Sequence, residues 1–347
     1  MIREKNEAVE NRVEAILGID TSNYKTSVAL TDVSGNILAD IREFLKVRQG
    51  ERGLRQSDAL FQHVEKLPEL VKQAFGKAGS VNLRAISVSN RPRPIEGSYM
   101  PVFKAGVGTA RSIGAACGVP VYEFSHQEGH LEAAAASCGF KNEKQFLAYH
   151  LSGGTCELLL ASKKENGYHL DIIGGTKDIS FGQVLDRVGV FLGHGFPAGA
   201  ALDRIALAAK EESKVLKKIP LSGLFVNLSG IDTQCRRAVS SSEDEKAEPE
   251  VVDAVICELF ARIAEALAKL TEEAVKETGI RKVLFSGGVA CSESIRKHLN
   301  EMLQGKSAEI AFGTPLMSQD NAVGTALLGV RAYGNETGAG FTAQPVY

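Results

Sequence analysis

The 347-residue chain contains no tryptophan, and aromatic residues make up only 6% of it. Glycine, in contrast, occurs 35 times. A glycine-rich, aromatic-poor composition favours an α/β enzyme with tight ligand-binding loops over an all-β sandwich. The length favours two domains, since single domains usually contain about 100–200 residues.

The chain also lacks a large excess of either charge. It contains 40 Lys and Arg and 42 Asp and Glu, which gives a formal net charge of −2. This balance excludes a protein held on nucleic acid by an overall positive field, although a local basic patch remains compatible. No stretch approaches the roughly 18–20 uninterrupted apolar residues of a membrane-spanning helix. The charged amino-terminal segment lacks the apolar core of a signal peptide. We therefore expect no membrane partner.

The six cysteines are scattered along the chain, and no two of them form a CxxC pair. This distribution is typical of reduced thiols rather than of a disulfide framework. Together with the absence of a signal peptide, it predicts a cytoplasmic protein.

Two stretches of the chain have the same predicted order of elements, although they share no residue-level repeat. Each begins with a β-hairpin and a third strand, and continues with helices and further strands. In the first stretch the hairpin covers 15–31, helices cover 56–77 and 104–117, and strands cover 83–90 and 119–124. In the second stretch the hairpin covers 146–162, helices cover 183–192, 200–209, 251–278 and 292–304, and a strand covers 282–289.

The segment HQEGH contains two histidines, His126 and His130, separated by one helical turn. Residues at this spacing lie on one face of a helix and are able to bind one cation, although a solvated or capping role is also compatible. Zinc proteases of the HExxH type need a glutamate directly after the first histidine. Glu128 is two residues after His126, roughly 200° round the helix, so the spacing argues against a protease.

Three polar turns directly follow predicted strands: DTSNYKT at 20–26, SGGT at 152–155 and SGGV at 286–289. Glycine allows backbone amides to approach a phosphate closely. None of the turns is a Walker A motif or a dinucleotide fingerprint, and each alone is typical of an ordinary tight turn. As a set they predict a nucleotide between two α/β domains. The phosphate-loop candidates are Thr21, Ser22, Lys25, Gly287 and Gly288.

Asp320 precedes an apolar, Ala- and Gly-rich segment near the carboxyl terminus. Such a residue is typically a helix N-cap. Alternatively it is the carboxylate that completes a His–His–Asp metal site, a donor set that suits Zn²⁺ or Fe²⁺. The spacing permits both interpretations.

Taken in order, GIDTS, HQEGH, LSGGT, GQVLDRVG, SGGV and QDN resemble the tRNA adenosine threonylcarbamoyltransferase family, over about residues 16–330. The resemblance implies the actin/sugar kinase/heat-shock ATPase fold. We expect two actin-like (ribonuclease H-like) α/β domains, each led by a β-hairpin and a mixed sheet, with a nucleotide and metal cleft between them. The expected halves are 15–131 plus 316–340 and 145–315, with tails at 1–14 and 341–347.

The resemblance also implies an activity: an acyltransferase that moves a threonylcarbamoyl group from threonylcarbamoyl adenylate to adenosine of tRNA. The family's metal ligands match His126, His130 and Asp320, which implies one divalent ion, Fe²⁺ or Zn²⁺. The nucleotide ligand would be ATP or threonylcarbamoyl adenylate. The implied partners are an adenylate-forming enzyme, a small ATPase and a related non-catalytic subunit. The matching substrate-binding positions are Ser152, Gly153, Gly154, Thr155, Asp186, Gly199 and Ser292.

Several positions depart from the family pattern. Tyr24 and Lys25 stand where family members usually carry acidic residues, Thr155 stands where His or Asn is usual, and Ser292 replaces an Asn. These departures keep two alternatives open. In the first alternative, the chain is a non-catalytic paralogue that binds nucleotide or metal as a partner subunit. In the second, it is a carbamoyltransferase that acts on a small molecule.

Overall fold

The computed structural model describes residues 12–22, 24–47, 54–240 and 247–338. The chain divides into two compact units. Unit 1 extends to Asn142 and also contains Lys163–His169 and the chain from Gln319 onward. Unit 2 consists of Glu143–Ser162 and Leu170–Ser318.

These bounds differ from the expected halves at three places. Residues 316–318 group with unit 2, whereas residues 132–142 and the segment Lys163–His169 group with unit 1. The segment does so because the Tyr168 amide donates to Glu128 Oε1 at 3.0 Å and the Tyr168 hydroxyl donates to Glu132 Oε2 at 2.6 Å. Of the expected tails, residues 1–11 and 341–347 lie outside the described residues, while the first strand already begins at Val13.

Unit 1 is built on a five-stranded sheet with the spatial order β3-β2-β1-β4-β5. The first three strands are antiparallel neighbours, whereas β1, β4 and β5 run parallel to one another. The strands are β1 (Val13–Thr21), β2 (Lys25–Asp32), β3 (Ile37–Phe44), β4 (Val81–Arg91) and β5 (Val121–Ser125).

Within the described residues, unit 1 contains four helices: α1 (Gln56–Ala78), α2 (Phe103–Cys117), α3 (His126–Ala136) and α9 (Val323–Thr337). Helix α1 has apolar residues at helical spacing, of which Leu67 and Leu70 are buried in the core with Leu17 and Val28 of the sheet. Val64 has the same spacing but is 56% exposed. The apolar stripe of α1 is therefore narrower than the sequence pattern suggests.

Unit 2 contains a seven-stranded sheet with the spatial order β12-β11-β6-β7-β8-β10-β9. Five neighbouring strands of this sheet repeat the arrangement of unit 1. In the order β8-β7-β6-β11-β12 they correspond to β3-β2-β1-β4-β5. This confirms the prediction of two α/β halves that each begin with a hairpin. The strands are β6 (Gln145–Leu151), β7 (Cys156–Lys163), β8 (Tyr168–Thr176), β9 (Leu221–Ser222), β10 (Phe225–Val226), β11 (Lys282–Ser286) and β12 (Glu309–Phe312).

The helices of unit 2 are α4 (Phe181–Phe191), α5 (Gly199–Ala208), α6 (Ser229–Ala238), α7 (Pro249–Thr278) and α8 (Glu293–Leu303). Helix α6 and the β9–β10 pair lie in a stretch for which the sequence pattern predicts no element. Helix α7 lies at the centre of the core, where Leu259, Phe260, Ile263 and Leu267 are fully buried.

Among the described residues, no helix combines the length and the apolar character that crossing a membrane requires.

Helices α3 and α9 of unit 1 cross with their backbones in direct contact. A Cβ atom on Gly324 would overlap the carbonyl oxygen of Gly129, and a Cβ atom on Gly129 would lie 2.8 Å from Thr325 Oγ1. The crossing therefore requires glycine at position 324, because a side chain there would collide with the backbone of α3.

We predict that Gly324→Ala destabilises the protein by about 1–3 kcal/mol or more, because the added methyl group has no space. Gly108→Ala is the matched control, since Gly108 is also helical but has no atom within 4 Å of its Cβ position. The control gains about 0.5–1 kcal/mol from helix propensity. Chemical denaturation of both variants measures the difference, and equal stabilities would contradict the close crossing.

Candidate metal centre and substrate loops

The carboxyl ends of three parallel strands of unit 1 bring polar residues to one edge of the sheet. Asp20 is near the end of β1, Ser89 is near the end of β4, and His126 directly follows β5. Asp20 Oδ1 accepts a hydrogen bond from His126 Nδ1 at 2.9 Å and another from the Ser89 hydroxyl. This edge is where open α/β sheets usually bind their ligands.

Helix α3 presents both predicted histidines to this edge. Its start is fixed by a capping box in which the Ser125 hydroxyl accepts from the Glu128 amide and the Glu128 carboxylate accepts from the Ser125 amide. Glu128 is therefore a capping residue that faces away from the histidines, as its spacing predicts. The rings of His126 and His130 lie 4.4 Å apart between centroids, edge to face.

Asp320 lies opposite the two histidines, in the loop that precedes α9. Its Oδ1 atom is 2.9 Å from His130 Nε2 and 3.7 Å from His126 Nε2. One donor atom from each of the three residues lies within 4.8 Å of the other two. The structure thus brings together the three residues that the sequence analysis grouped as metal ligands.

The donor set fits one divalent cation. Because Asp20 binds the Nδ1 side of His126, the ring is held with its Nε2 atom facing His130 and Asp320. Two imidazole nitrogens and one carboxylate oxygen are ligands that suit Zn²⁺ or Fe²⁺. Carboxylate–histidine pairs of the Asp20–His126 kind are the usual support of a metal-binding histidine.

The charges of this cluster are strongly coupled. Burial alone would lower the pKa of His126, but the facing carboxylates of Asp20 and Asp320 raise that pKa to about 9. Burial would likewise raise the pKa of Asp320, but the hydrogen bond from His130 and the charges of His126 and Lys25 hold it well below its ordinary value. Asp320 therefore remains an anion and is available as a ligand.

The three predicted phosphate-loop residues of unit 1 have different environments. Ser22 donates to Asp320 Oδ2 at 3.3 Å, and Lys25 Nζ donates to Gln319 Oε1 at 3.0 Å, so both border the metal centre. The Thr21 hydroxyl instead donates to the Val102 carbonyl at 3.0 Å, next to the start of α2. Thr21 thus supports the fold.

In unit 2 the SGGT segment forms a tight turn between β6 and β7. The Ser152 amide donates to the Thr155 carbonyl at 2.8 Å, and the Thr155 amide donates to Ser152 Oγ at 3.0 Å. The Ser180 hydroxyl, at the N-cap of α4, donates to the Gly153 carbonyl at 2.6 Å. Gly153 and Gly154 are exposed, so the turn presents two glycine amides at its surface.

The SGGV segment follows β11, which is the parallel neighbour of β6. Gly287 has a positive φ of 95°, and a Cβ atom there would collide with the Leu151 carbonyl, which directly precedes the SGGT turn. Gly288 is exposed at the start of a short 3₁₀ turn. The two glycine-rich turns of unit 2 therefore lie side by side at one sheet edge.

The remaining substrate-binding candidates of unit 2 contact helix N-termini. Asp186 Oδ1 accepts from the Ala198 amide at 2.7 Å, which brings Asp186 next to Gly199 at the start of α5. Ser292 is the N-cap of α8: its hydroxyl accepts from the Ile295 amide at 3.1 Å and donates to Asp203 Oδ1 at 2.6 Å. The Ser292 side chain is therefore engaged in capping.

Two residues that hold candidate site residues in place, Asp20 and Asp203, are missing from the sequence-based candidates. Asp20 orients His126, and Asp203 accepts hydrogen bonds from the amides of Glu293 and Ser294 at the start of α8. Asp20 was detectable as the last acidic residue of a strand parallel to the one that precedes His126. Asp203 carried no comparable signal, since it lies 90 residues away from Glu293 in the chain.

Comparison with known proteins agrees with this geometry. A profile of the tRNA N6-adenosine threonylcarbamoyltransferase family matches residues 37–327. The chain belongs to this family. A protein named tRNA N6-adenosine threonylcarbamoyltransferase from Trichlorobacter lovleyi is 28% identical over 332 residues, which cover 90% of each chain. The family resemblance read from the motifs is confirmed.

Solved structures support the fold. T. kodakarensis HypF matches with a TM-score of 0.58 and 15% identity, over 93% of this chain and 48% of HypF, so the chain spans about half the length of HypF. ROK hexokinase from Thermus thermophilus matches with a TM-score of 0.52 and 16% identity, over 94% of this chain and all of that one (100%). The predicted fold class, two α/β halves of the actin-like ATPase and sugar kinase type, is confirmed.

We predict that Asp20→Asn lowers the affinity for Zn²⁺ about 10–100-fold, because the His126 ring loses the carboxylate that orients it. Asp40→Asn is the control: Asp40 is in the same sheet, where it pairs with Arg42. Competition with a chromogenic chelator measures both affinities. Wild-type affinity in Asp20→Asn would show that this hydrogen bond does not support the site.

We predict that Gly182→Ala displaces the SGGT turn, because the new Cβ atom would lie 2.5 Å from Gly153 Cα and 2.6 Å from the Ser152 carbonyl oxygen. Gly230→Ala is the matched control, since Gly230 is also the second residue of a helix and has nothing within 4 Å. Amide NMR shifts of residues 152–155 should change in the first variant alone. Unperturbed shifts in Gly182→Ala would contradict the packing of α4 on the turn.

Proposed function

We propose that this chain transfers a threonylcarbamoyl group from threonylcarbamoyl adenylate to adenosine of tRNA, and that His126, His130 and Asp320 hold one divalent ion, Fe²⁺ or Zn²⁺. The observation that carries the proposal is the convergence of these three donors, with His126 oriented by Asp20. Membership of the family supplies the reaction class.

In the proposed reaction the N6 amino nitrogen of adenosine forms a bond to the carbamoyl carbon. The bond between that carbon and the phosphate oxygen breaks, AMP departs, and one amino proton is released. A divalent ion at this centre supplies Lewis-acid polarisation of oxygen atoms. The roles of the chain itself are to bind the donor, to orient it and to balance its charge.

Charge balance at the metal centre favours an anionic donor. The carboxylates of Asp20 and Asp320 contribute a formal charge of −2, and Lys25 contributes +1. With a divalent ion and two neutral imidazoles, the formal charge of the site is +1. A site with net positive charge attracts the phosphate or the carboxylate of threonylcarbamoyl adenylate. Lys25, which stands where relatives of the family are acidic, is the residue that makes this charge positive.

The glycine-rich turns of unit 2 support a nucleotide ligand. The internal hydrogen bonds of the SGGT turn use the Ser152 and Thr155 amides. The amides of Gly153 and Gly154 are thus the ones that the turn itself leaves for a phosphate oxygen, in the manner of an anion-binding nest. Gly288 and Gly199 are proposed to lie along the rest of the nucleotide.

A second candidate function is a partner subunit that binds nucleotide or metal without catalysis. One observation favours it: the Ser292 side chain, at a position matched to substrate binding, is engaged with Asp203 and the α8 amides. Complementation separates the two candidates. If the gene restores the tRNA modification in a cell that lacks its own transferase, the partner-subunit function is excluded.

The direct test supplies threonylcarbamoyl adenylate, generated in situ from threonine, bicarbonate and ATP by an adenylate-forming enzyme, together with unmodified tRNA. We expect modified adenosine in the digested tRNA by mass spectrometry, and loss of the product after chelation of the metal. Omitting tRNA and searching for a carbamoylated small molecule tests the remaining alternative.

Metal content is measured in parallel on His126→Ala and His130→Ala. His298→Ala is the control, because His298 lies on α8 of unit 2, where it bonds the Ser294 carbonyl at 2.8 Å. We expect about one Fe or Zn per chain in the wild type and the control, and a loss in the two variants because each lacks one of three ligands. Equal metal content in all four proteins would overturn the proposed centre.

A further inference from the structure

The face of α3 opposite the histidines carries two carboxylates. Glu128 and Glu132 each lie two residues after a histidine, roughly 200° round the helix. They are only 4% and 2% exposed. A buried carboxylate is costly unless it is paired and hydrogen-bonded, so this second face must have specific partners.

Tyr168 contacts both carboxylates. Its amide donates to Glu128 Oε1 at 3.0 Å, and its hydroxyl donates to Glu132 Oε2 at 2.6 Å. The segment Lys163–His169 thus contacts the face of α3 opposite the histidines, at two points one helical turn apart. These contacts fix the rotation of α3 about its axis, and with it the direction in which the histidines face.

Arg331 of α9 provides the second partner of Glu132. The two residues form an ion pair in which the side chains are 9% and 2% exposed. Arg331 also donates to the Gly167 carbonyl at 3.3 Å and lies 5.2 Å from the centre of the Tyr168 ring.

The same two helices determine where the three candidate ligands lie. Helix α3 carries His126 and His130, while α9 begins three residues after Asp320. The helices touch at the Gly129–Gly324 crossing, and the Glu132–Arg331 pair lies about two turns along α9 from that crossing. A crossing point alone permits rotation, whereas a second, directional contact away from it sets the angle between the helices.

We propose that Glu132, Arg331 and Tyr168 are positioning residues of the metal centre. They set the angle between α3 and α9, and so the separation between the histidine nitrogens and the Asp320 carboxylate. This inference rests on the proposed function, because it concerns the metal centre proposed above. They act on the centre through the positions of the two helices.

The test uses Glu132→Gln and Arg331→Met in the full chain, with Glu258→Gln as the matched control. Glu258 is a fully buried carboxylate of unit 2 that pairs with Arg262 and accepts from the Ser213 hydroxyl and two backbone amides. All three variants break one buried ion pair and are expected to unfold at a lower temperature. Their effects on the metal centre should differ.

Cobalt(II) provides the readout, because its visible absorption reports the geometry of its ligands. We expect Glu132→Gln and Arg331→Met to bind Co²⁺ about tenfold more weakly than the wild type and to change the absorption bands, since their histidines and Asp320 no longer converge. Glu258→Gln should keep the wild-type affinity and spectrum. Wild-type Co²⁺ binding in Glu132→Gln would overturn the inference.

Two milder variants keep the test informative if the first pair folds poorly. Tyr168→Phe removes the hydroxyl that contacts Glu132 and Arg331, and Arg331→Lys keeps the positive charge. Both should weaken Co²⁺ binding less than Arg331→Met does, and Arg331→Lys should restore part of the wild-type spectrum. Equal loss in Arg331→Lys and Arg331→Met together with wild-type behaviour of Tyr168→Phe would contradict a positioning role.

A separate measurement distinguishes failure of this inference from failure of the proposed function. If the wild type binds no Co²⁺, the proposed metal centre is wrong. The imidazole ¹H–¹⁵N resonances of His126 and His130, recorded without metal, still test the positioning. Shifts in Glu132→Gln and Arg331→Met but not in Glu258→Gln support it, and unchanged resonances overturn it.

Discussion

The contact of two helix backbones at Gly129 and Gly324 is the constraint on which the candidate site depends. Because no side chain separates the helices, α3 lies close enough to α9 for two histidines to face an aspartate from the opposite end of the chain. The other contacts of the centre hold these residues in place. Asp20 orients one ring, Ser22 contacts the aspartate, and the capping box fixes where α3 starts.

The two units use one topology for different chemistry. In each unit the carboxyl ends of parallel strands line one sheet edge, as the repeated strand order requires. Unit 1 has Asp20, Ser89 and His126 at that edge, where the Asp20 carboxylate accepts hydrogen bonds from the other two side chains. Unit 2 supplies the SGGT and SGGV turns, which offer backbone amides and little charge. The same topology thus brings the candidate metal ligands to the sheet edge of one unit and glycine-rich turns to the sheet edge of the other.

Much of the fold was predictable from the sequence because hydrophobic periodicity and turn residues act locally. Both hairpins, helix α1 and the strand before SGGV follow from such patterns. The candidate metal ligands were grouped through the order of motifs. What local patterns do not contain is the pairing of distant residues: Lys25 with Gln319, Asp203 with Glu293, and Arg331 with Glu132. Ser292 illustrates the limit, since a serine before a helix fits a cap and a substrate contact equally well.

The discontinuity of unit 1 has a consequence for biosynthesis. Its sheet and α3 are made first, whereas Asp320 and α9 are made last, after the whole of unit 2. Domains generally fold as the chain emerges, starting from the amino terminus. During synthesis the nascent sheet therefore carries His126 and His130 without their aspartate, and Glu132 without Arg331. The three candidate ligands thus come together only after Asp320 has been synthesised.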